Sequence, residues 1–244
     1  MFEVARNEFP GEIGVVCPGA GVYEPNWSSF WHPPPTESSH DGPGNDNYDS
    51  LAINLIHPIR TTQLALQNHL SRKSRKPEEQ LSIIHISSIA GQASPLIAPL
   101  YNATKHGLNG FVRTLAPLQS RIGVRVAAVA PGVIRTPLWM ENPDKLRMVS
   151  KEDTWVDPEE VAECMGDLAC EDEINVQETG WVELQPKEKV KVEGGMVVEI
   201  SARGRRRVVQ QYMDPGPIGR EGNTVGKMGD EVEMLLARLE RGEF

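Results

Sequence analysis

The chain has 244 residues, of which 39% are hydrophobic and 24% are charged, the balance of a globular protein that can bury one substantial core. Its formal net charge of -9 and pI of about 5.2 exclude nucleic acid and anionic membrane surfaces as general partners. There is no apolar run of about 18 residues, no secretion signal and no framework spacing among the three cysteines. We therefore expect a cytoplasmic protein with reduced thiols, no membrane span and no metal site.

The first fifty residues predict a helix, a short strand and a long loop. Apolar residues at helical spacing occur in residues 2–9, and residues 13–17 form an apolar run that ends at Pro18-Gly19-Ala20-Gly21. Residues 24–50 are rich in Pro, Ser, Gly, Asn and Asp, which predicts a surface loop. Two interpretations remain open for its aromatic residues, a lid over an apolar substrate or an anchor for the loop: Trp27, Phe30 and Trp31.

A helix is predicted from Leu51 to Leu70, where apolar side chains recur at helical spacing. Pro58 has no backbone N–H to donate, so we expect it to interrupt the regular hydrogen-bond ladder close to Asn54. Residues 71–80 are basic and polar, which predicts a solvated loop before the next strand.

Residues 83–137 predict a strand, a helix and a second, parallel strand. The two strands are the apolar stretches 82–87 and 124–130, and they are joined through the helix that contains Tyr101. This order makes one right-handed βαβ unit, and ligands bind such sheets at the carboxyl ends of the strands. The turns at Ser88 and at Pro131-Gly132 both fall at that end.

The helix carries two residues that suit proton transfer. Tyr101 and Lys105 are four residues apart and therefore share one helix face. A nearby ammonium stabilises a phenolate, and each unit of pKa below about 10 corresponds to about 1.4 kcal/mol. The Tyr hydroxyl can then exchange a proton with a substrate oxygen while Ser88 donates a hydrogen bond to it. The Tyr-x-x-x-Lys pair alone is weak support, because four tyrosines make a chance match easy.

The C-terminal part predicts one more helix, one more strand and an extension. Residues 157–170 form a helix with an acidic first turn, as the helix dipole favours, and residues 194–200 form the last strand of the sheet. Residues 201–244 are a polar extension with a helix from Asp230 to Arg241. Four of the five residues from Arg203 to Arg207 are Arg, which we interpret as a solvated turn rather than a phosphate or nucleic-acid patch.

The order and spacing of Ser88, Tyr101-x-x-x-Lys105 and Pro131-Gly132-x-x-x-Thr136 resemble the short-chain dehydrogenase/reductase family. The similarity continues into a subgroup like the fungal 15-hydroxyprostaglandin dehydrogenase-like enzymes. The resemblance implies an α/β fold with a Rossmann-like doubly wound parallel sheet, here N-terminally truncated. Residues 1–200 would form this partial domain, with an inserted loop at 24–50, and residues 201–244 would form the extension.

The resemblance also implies roles for individual residues. Ser88 would donate to the substrate oxygen, Tyr101 would be the catalytic acid or base, and Lys105 would lower the pKa of the tyrosine and hold the nicotinamide ribose. The backbone carbonyl of Asn54 would order a water near the lysine. The implied cofactor is NAD or NADP, contacted by Tyr101 and Lys105 and by five further residues: Gly21, Pro131, Gly132, Ile134 and Thr136.

Two features depart from the family pattern. The strand at residues 13–17 ends in Pro18-Gly19-Ala20-Gly21, so only the last two residues match the Asn-Asn-Ala-Gly motif of the family. The strand and Gly-rich turn that would bind the pyrophosphate are missing, and two βα units of about 30 residues each are absent. The strand at 13–17 is therefore expected to have an exposed edge. The P-loop-like stretch 222–228 has the wrong glycine spacing and Met228 in place of Ser or Thr.

The leading hypothesis is an NAD(P)-dependent oxidoreductase that interconverts a secondary alcohol and a ketone by hydride transfer, in fungal secondary metabolism. Its partners would be a small hydrophobic substrate and a second copy in a homo-oligomer, with no nucleic acid or membrane. An inactive or non-redox remnant with a binding or regulatory role is the alternative, and an isomerase or dehydratase reusing Ser88 and Tyr101 stays open. A hydrolase with Ser88 as nucleophile is disfavoured, because no Asp or Glu lies between it and His106.

Overall fold

The computed structural model of the chain describes residues 1–9, 11–44, 47–72, 79–179, 184–201, 203–211 and 228–244. In these residues the strands are β1 Val15–Val16, β2 Leu81–Ile86, β3 Val124–Pro131, β4 Glu173–Thr179, β5 Leu184–Lys191, β6 Val197–Ser201 and β7 Arg205–Val208. The α-helices are α1 Phe2–Glu8, α2 Asp49–Leu51, α3 His57–Leu70, α4 Pro99–Thr114, α5 Leu118–Ile122, α6 Pro137–Met140, α7 Pro143–Leu146, α8 Pro158–Cys170 and α9 Met228–Glu240.

A five-stranded sheet in the order β1-β2-β3-β6-β7 forms the centre of the fold. The first four strands of this order run parallel, and β7 pairs with β6 in the antiparallel direction. Between β2 and β3 the register runs from Leu81 opposite Val124 to Ile86 opposite Val129. The ends of these two strands therefore lie side by side, which places the turn after Ile86 next to the Pro131-Gly132 turn.

Helices cover both faces of the sheet, and the strands β2 and β3 are for this reason buried along nearly their whole length. Alternate residues such as Ile83 and Val126 face a core shared with α3, α4, α5 and α9. Their neighbours, such as Ile84 and Ala127, face a second core shared with α8 and the β4–β5 hairpin. This arrangement confirms the predicted α/β fold class with a doubly wound, mostly parallel sheet.

The edges of the sheet differ from the sequence prediction. Strand β1 is limited to Val15–Val16, shorter than the predicted 13–17, and it lies at one edge of the sheet. At the other edge, residues 205–208 form β7, so the prediction that 194–200 is the last strand is wrong. Arg203 and Gly204 have φ of 65° and 62°, the left-handed conformation that a tight hairpin turn requires.

Residues 205–207 of the arginine-rich stretch are therefore part of this edge strand, and the solvated turn that we predicted is limited to Arg203 and Gly204. The guanidinium of Arg206 is largely buried and pairs with Asp167 and Glu163 of α8. Arg207 pairs with Glu199 on the neighbouring strand. Two of the four arginines are therefore structural contacts: Arg206 joins the sheet to α8, and Arg207 joins β7 to β6.

The C-terminal helix α9 packs onto the body of the protein. Leu236 and Leu239 are buried in the same core as the sheet, and Arg121 of α5 bonds to Glu233 and Glu240. Residues 212–227, which include most of the P-loop-like stretch, lie outside the described residues. Within the described part of the chain, no helix has the length and apolar character that crossing a lipid bilayer requires.

Candidate active site

A cleft of about 370 Å³ lies at the carboxyl ends of β1, β2 and β3. It brings together all but one of the predicted site residues: Gly21, Ser88, Tyr101, Lys105, Pro131, Gly132, Ile134 and Thr136. Residues of α6 close its remaining wall: Pro137, Leu138 and Trp139. Asn54 does not line the cleft. Its side chain bonds to Val22 instead, and the predicted role of its backbone carbonyl stays a prediction.

The two serines of the turn after β2 face different surroundings. Ser87 is buried, and its hydroxyl donates to Asn109 Oδ1 at 2.6 Å. Ser88 is partly accessible in the cleft and caps the 3₁₀ helix Ile89–Gly91 by accepting from the Ala90 N–H at 3.2 Å. The anchored Ser87 therefore leaves Ser88 as the hydroxyl that a ligand in the cleft can reach.

Helix α4 presents Tyr101 and Lys105 on the cleft side. It begins at Pro99, whose fixed φ suits the first helical position, so Tyr101 lies in the first turn and Lys105 one turn later. The Lys105 ammonium donates to the Ile86 carbonyl at 2.8 Å and lies 5.4 Å from the centre of the Tyr101 ring. Burial lowers the pKa of Lys105 to about 8.

The pKa of Tyr101 differs from the sequence expectation. Burial raises the pKa of the Tyr101 hydroxyl, and the neighbouring Tyr23 raises it further, whereas a hydrogen bond with Ser88 lowers it in part. The Lys105 ammonium is directed at the carbonyl at the end of β2. The neighbour that lowers the Tyr101 pKa in this structure is Ser88, and a lowering by Lys105 stays a prediction.

Asn54 connects the helical layer to the segment that follows β1. Residues 52–56 form a π-helix, with the His57 N–H bonded to the Ala52 carbonyl, and Pro58 lacks the N–H that would return to Asn54. The predicted interruption near Pro58 is confirmed. The Asn54 side chain is buried, donates to the Val22 carbonyl and accepts from the Val22 N–H, both at 2.8 Å.

Sequence reasoning missed two neighbours of Tyr101. Tyr23 packs edge-on against the Tyr101 ring at 4.8 Å between centroids and also lies 5.4 Å from Trp139. Glu24 accepts from the Tyr101 N–H at 3.0 Å with one oxygen, and from the Phe30 N–H at 3.1 Å with the other. The carboxylate thus bonds to an N–H in the first turn of α4 that has no partner within the helix. Because the two residues are 77 positions apart, no local sequence pattern predicts this contact.

The cleft fits the nicotinamide and ribose end of a dinucleotide cofactor. The buried Lys105 ammonium, the Thr136 hydroxyl and the small residues at the ends of β1 and β3 provide polar contacts and a close approach to backbone. Among the described residues, no Gly-rich turn joins a strand to a helix N-terminus, so none of them forms the expected pyrophosphate cradle. Nor do these residues contain a cluster of His, Cys, Asp and Glu that could hold a metal ion.

The comparisons with known proteins identify the family of the chain. The profile of the short chain dehydrogenase family matches residues 1–147, more than half of the chain. Human (Homo sapiens) (3R)-3-hydroxyacyl-CoA dehydrogenase is 36% identical over 132 residues, covering 52% of this chain and 49% of that protein. The NAD(+) form of 15-hydroxyprostaglandin dehydrogenase from Rattus norvegicus is 31% identical over 140 residues, covering 52% of each chain.

The solved structures give the same result for the fold. An oxidoreductase of the short chain dehydrogenase/reductase family from Burkholderia thailandensis has a TM-score of 0.51 and 23% identity, covering 70% of this chain and 61% of that chain. The chain spans about half the length of the curated relatives described above. With the family profile matched over more than half of its residues, the chain belongs to the short chain dehydrogenase family, a family of oxidoreductase enzymes.

Proposed function

We propose that the chain takes part in NAD(P)-dependent interconversion of a secondary alcohol and a ketone by hydride transfer. The observation that carries this proposal is the convergence of Ser88, Tyr101 and Lys105 on one cleft, beside the Pro131-Gly132 turn. The name of the rat relative includes NAD(+), which favours NAD over NADP for this chain. Because the chain spans about half of its relatives, the activity is proposed for the protein to which these residues belong.

In the direction of reduction, the bound nicotinamide would supply the hydride to the carbonyl carbon of the substrate. The carbonyl oxygen accepts a hydrogen bond from the Ser88 hydroxyl and takes the proton of the Tyr101 hydroxyl as the carbon–hydrogen bond forms. Tyr101 is left as a phenolate, and the Lys105 ammonium within the same cleft offsets part of this charge. Oxidation of the alcohol uses the same groups in reverse: Tyr101 would accept the hydroxyl proton, and the nicotinamide would accept the hydride.

Lys105 is suited to return a proton to Tyr101 between turnovers. Its pKa of about 8 lies close to neutral pH, so the ammonium can lose and regain a proton at little cost. Its donation to the Ile86 carbonyl fixes the nitrogen at the end of β2. We further propose that the Asn54 backbone carbonyl orders a water near this lysine, as the sequence resemblance implies.

The remaining features of the proposal rest on the resemblance alone. They are a fungal enzyme like the 15-hydroxyprostaglandin dehydrogenases, a place in secondary metabolism, a cytoplasmic location, a small hydrophobic substrate and a homo-oligomer. The outer faces of α3 and α4 are where such an oligomer would form. Side chains of α9 line the same groove as those two helices, so α9 would take part in the contact.

A second candidate is an inactive or non-redox protein of this fold that binds a partner. The observation that favours it is the lack of a pyrophosphate cradle among the described residues, together with the position of β1 at the sheet edge. An isomerase or dehydratase that uses Ser88 and Tyr101 without net redox change would share the site. Turnover alone separates it from a dehydrogenase.

Titration of the 244-residue chain with NADH and NADPH tests the proposal. Trp139 lines the cleft, so a reduced nicotinamide bound there should quench its fluorescence. The control is Trp139→Phe, which should lose this part of the quenching while calorimetry still detects binding. Saturable quenching that depends on Trp139 supports the proposal. A folded chain that binds neither nucleotide favours the second candidate.

A further inference from the structure

A second cavity adjoins the cleft and has no role in the mechanism above. It has a volume of about 490 Å³, which is within the range of small-molecule sites. It lies between the segment after β1, the residues preceding α4 and the helix α7. Much of its wall is aromatic or aliphatic: Tyr23, Trp27, Trp31, Ile97 and Met148.

The Tyr23 ring is the boundary between the two spaces. Tyr23 lines the second cavity, and its ring packs against Tyr101 and Trp139, which both line the cleft. Trp31 fixes the far wall, because its indole N–H donates to the Leu96 carbonyl at 3.1 Å. One molecule could therefore present an oxygen to Tyr101 and extend past Tyr23 into the second cavity.

Two polar groups of this cavity have neither a hydrogen bond nor an ion pair among the described residues. Lys145 holds its ammonium 5.5 Å from the centre of the Tyr23 ring, and no carboxylate of the described chain lies within ion-pair distance of it. The side chain is half-buried, so the charge is only partly solvated. His32 also lines the cavity, and its Nδ1 atom is buried without a hydrogen-bond partner.

The two carboxylates that line the cavity are already engaged. Glu24 accepts from the N–H groups of Tyr101 and Phe30, and Asp144 pairs with Arg147. Lys145 is therefore the cation of this cavity with which an anionic ligand can form an ion pair. A ligand anion placed beside a half-buried ammonium gains more than it would at a fully solvated surface.

We propose that the second cavity binds the body of the substrate, an aromatic ring system that carries a carboxylate, and that Lys145 selects for the negative charge. The tryptophan and tyrosine walls suit a flat ring, since offset and edge-on ring contacts add to the burial of apolar area. That this ligand is the substrate rests on the proposed function. Binding of the ligand itself does not require the cofactor or turnover.

Calorimetric titration of the full chain with 2-naphthoate and 2-naphthamide tests this proposal. The two probes have the same ring system and differ in charge at one substituent. We expect 2-naphthoate to bind at least tenfold more tightly than 2-naphthamide, and Lys145→Met to reduce the difference to about twofold or less. Lys151→Met is the matched control, since this exposed lysine does not line the cavity, and it should keep the full preference.

Several results would overturn the proposal: no binding of 2-naphthoate, equal binding of the two probes, or a charge preference that survives in Lys145→Met. Circular dichroism of each variant shows whether a lost preference reflects lost folding.

A titration with 2-naphthoate at saturating NADH adds a second test, because ligands of two adjacent sites should bind at the same time. Competition between the two would place the naphthoate in the cleft and contradict the assignment. Failure of NADH to bind at all leaves the naphthoate result standing and counts only against the proposed function.

Discussion

Two regions meet at the cleft, and they are held in place in different ways. The unit of β2, α4 and β3 is fixed by a continuous parallel ladder and by strands whose side chains are buried on both faces. Among the described residues of 17–48, which leave out 45 and 46, the isolated bridge between Ser29 and His32 is the only regular pairing. This second region keeps its path through side-chain hydrogen bonds, several of them to residues far away in the chain.

A buried polar cluster shows how this second region is built. The Ser28 hydroxyl donates to Asp41 at 3.0 Å and accepts from the Ser50 N–H at 2.9 Å, and the Ser50 hydroxyl donates back to the Ser28 carbonyl. Asp41 also accepts from the Asp49 N–H. The first region should therefore respond mainly to steric changes in its packing, and the second to the loss of single hydrogen bonds.

The largest effect is expected from Gly91→Ala in the first region. A Cβ at Gly91 would lie 2.5 Å from Asn109 Nδ2 and 2.9 Å from the Lys105 carbonyl, so the backbone of α4 must move. We expect a loss of about 3 kcal/mol in the free energy of unfolding, measured in urea. The matched control is Gly110→Ala within α4, where a Cβ meets no atom within 4 Å, and this substitution should stabilise by about 0.5 to 1 kcal/mol. Equal effects at the two glycines would contradict the close approach of the 3₁₀ turn to α4.

Lys105→Met should change how stability depends on pH. Burial lowers the folded-state pKa of Lys105 from 10.5 to about 8, so the folded chain binds fewer protons than the unfolded chain between these values. The stability of the unsubstituted chain should therefore rise with pH across this window, by up to about 3 kcal/mol, and below pH 8 the full cost of the buried charge is present.

The measurement is urea unfolding at several pH values from 7 to 10.5, compared between Lys105→Met and the unsubstituted chain. The methionine variant should lack the rise that Lys105 contributes and be the more stable of the two at neutral pH. Lys151→Met, at an exposed position, should keep the rise. Parallel curves for all three proteins would show that Lys105 is not buried as a charge.

Asn54→Ala tests the second region at its connection to the helical layer. The substitution removes two hydrogen bonds of 2.8 Å to Val22, so we expect a loss of about 2 kcal/mol and faster hydrogen exchange at the Val22 N–H. Asn54→Asp keeps an acceptor for the Val22 N–H but cannot donate to its carbonyl. This variant should be destabilised and yet retain slow exchange at Val22. Unchanged exchange in Asn54→Ala would mean that the segment after β1 does not depend on this side chain.

The smallest effect is expected at Glu24. Glu24→Gln keeps an acceptor oxygen but removes the negative charge near the start of α4, which should cost about 0.5 to 1 kcal/mol. Glu24→Ala also removes the hydrogen bonds to Tyr101 and Phe30 and should cost about twice as much. Thermal unfolding of both variants measures the difference. An alanine variant as unstable as Gly91→Ala would break the distinction between the two regions.

The same distinction decides what the sequence could predict. The strands at β2 and β3, the helix with Tyr101 and Lys105, and the turns at Ser88 and Pro131 follow from local patterns, and the structure brings them together in one cleft. Pro58 likewise predicted the irregular helix around Asn54. In each case the determining interactions lie within a few residues of the motif or along a neighbouring strand.

What could not be predicted depends on distant contacts. The capping of α4 by Glu24 and the ring contact between Tyr23 and Tyr101 each join residues more than 70 positions apart. Strand β7 was missed because a run of Arg predicts exposure to solvent, whereas the Arg206 side chain is paired with carboxylates of α8. The raised pKa of Tyr101 could not be predicted for a similar reason, since it follows from burial and from Tyr23, neither of which the motif shows.

The most direct test of Tyr101 as the catalytic acid or base is the turnover rate of Tyr101→Phe. The assay follows oxidation of NADH, and separately of NADPH, with a panel of aryl ketones. Tyr23→Phe is the control, because it removes a hydroxyl from the adjacent ring and leaves Tyr101 intact. We predict that Tyr101→Phe loses about 10² to 10⁴-fold in rate at unchanged nucleotide affinity, while Tyr23→Phe stays within a few-fold of the unsubstituted chain. A Tyr101→Phe variant that reduces ketones as fast as the unsubstituted chain would contradict the assignment of Tyr101 as the catalytic acid or base.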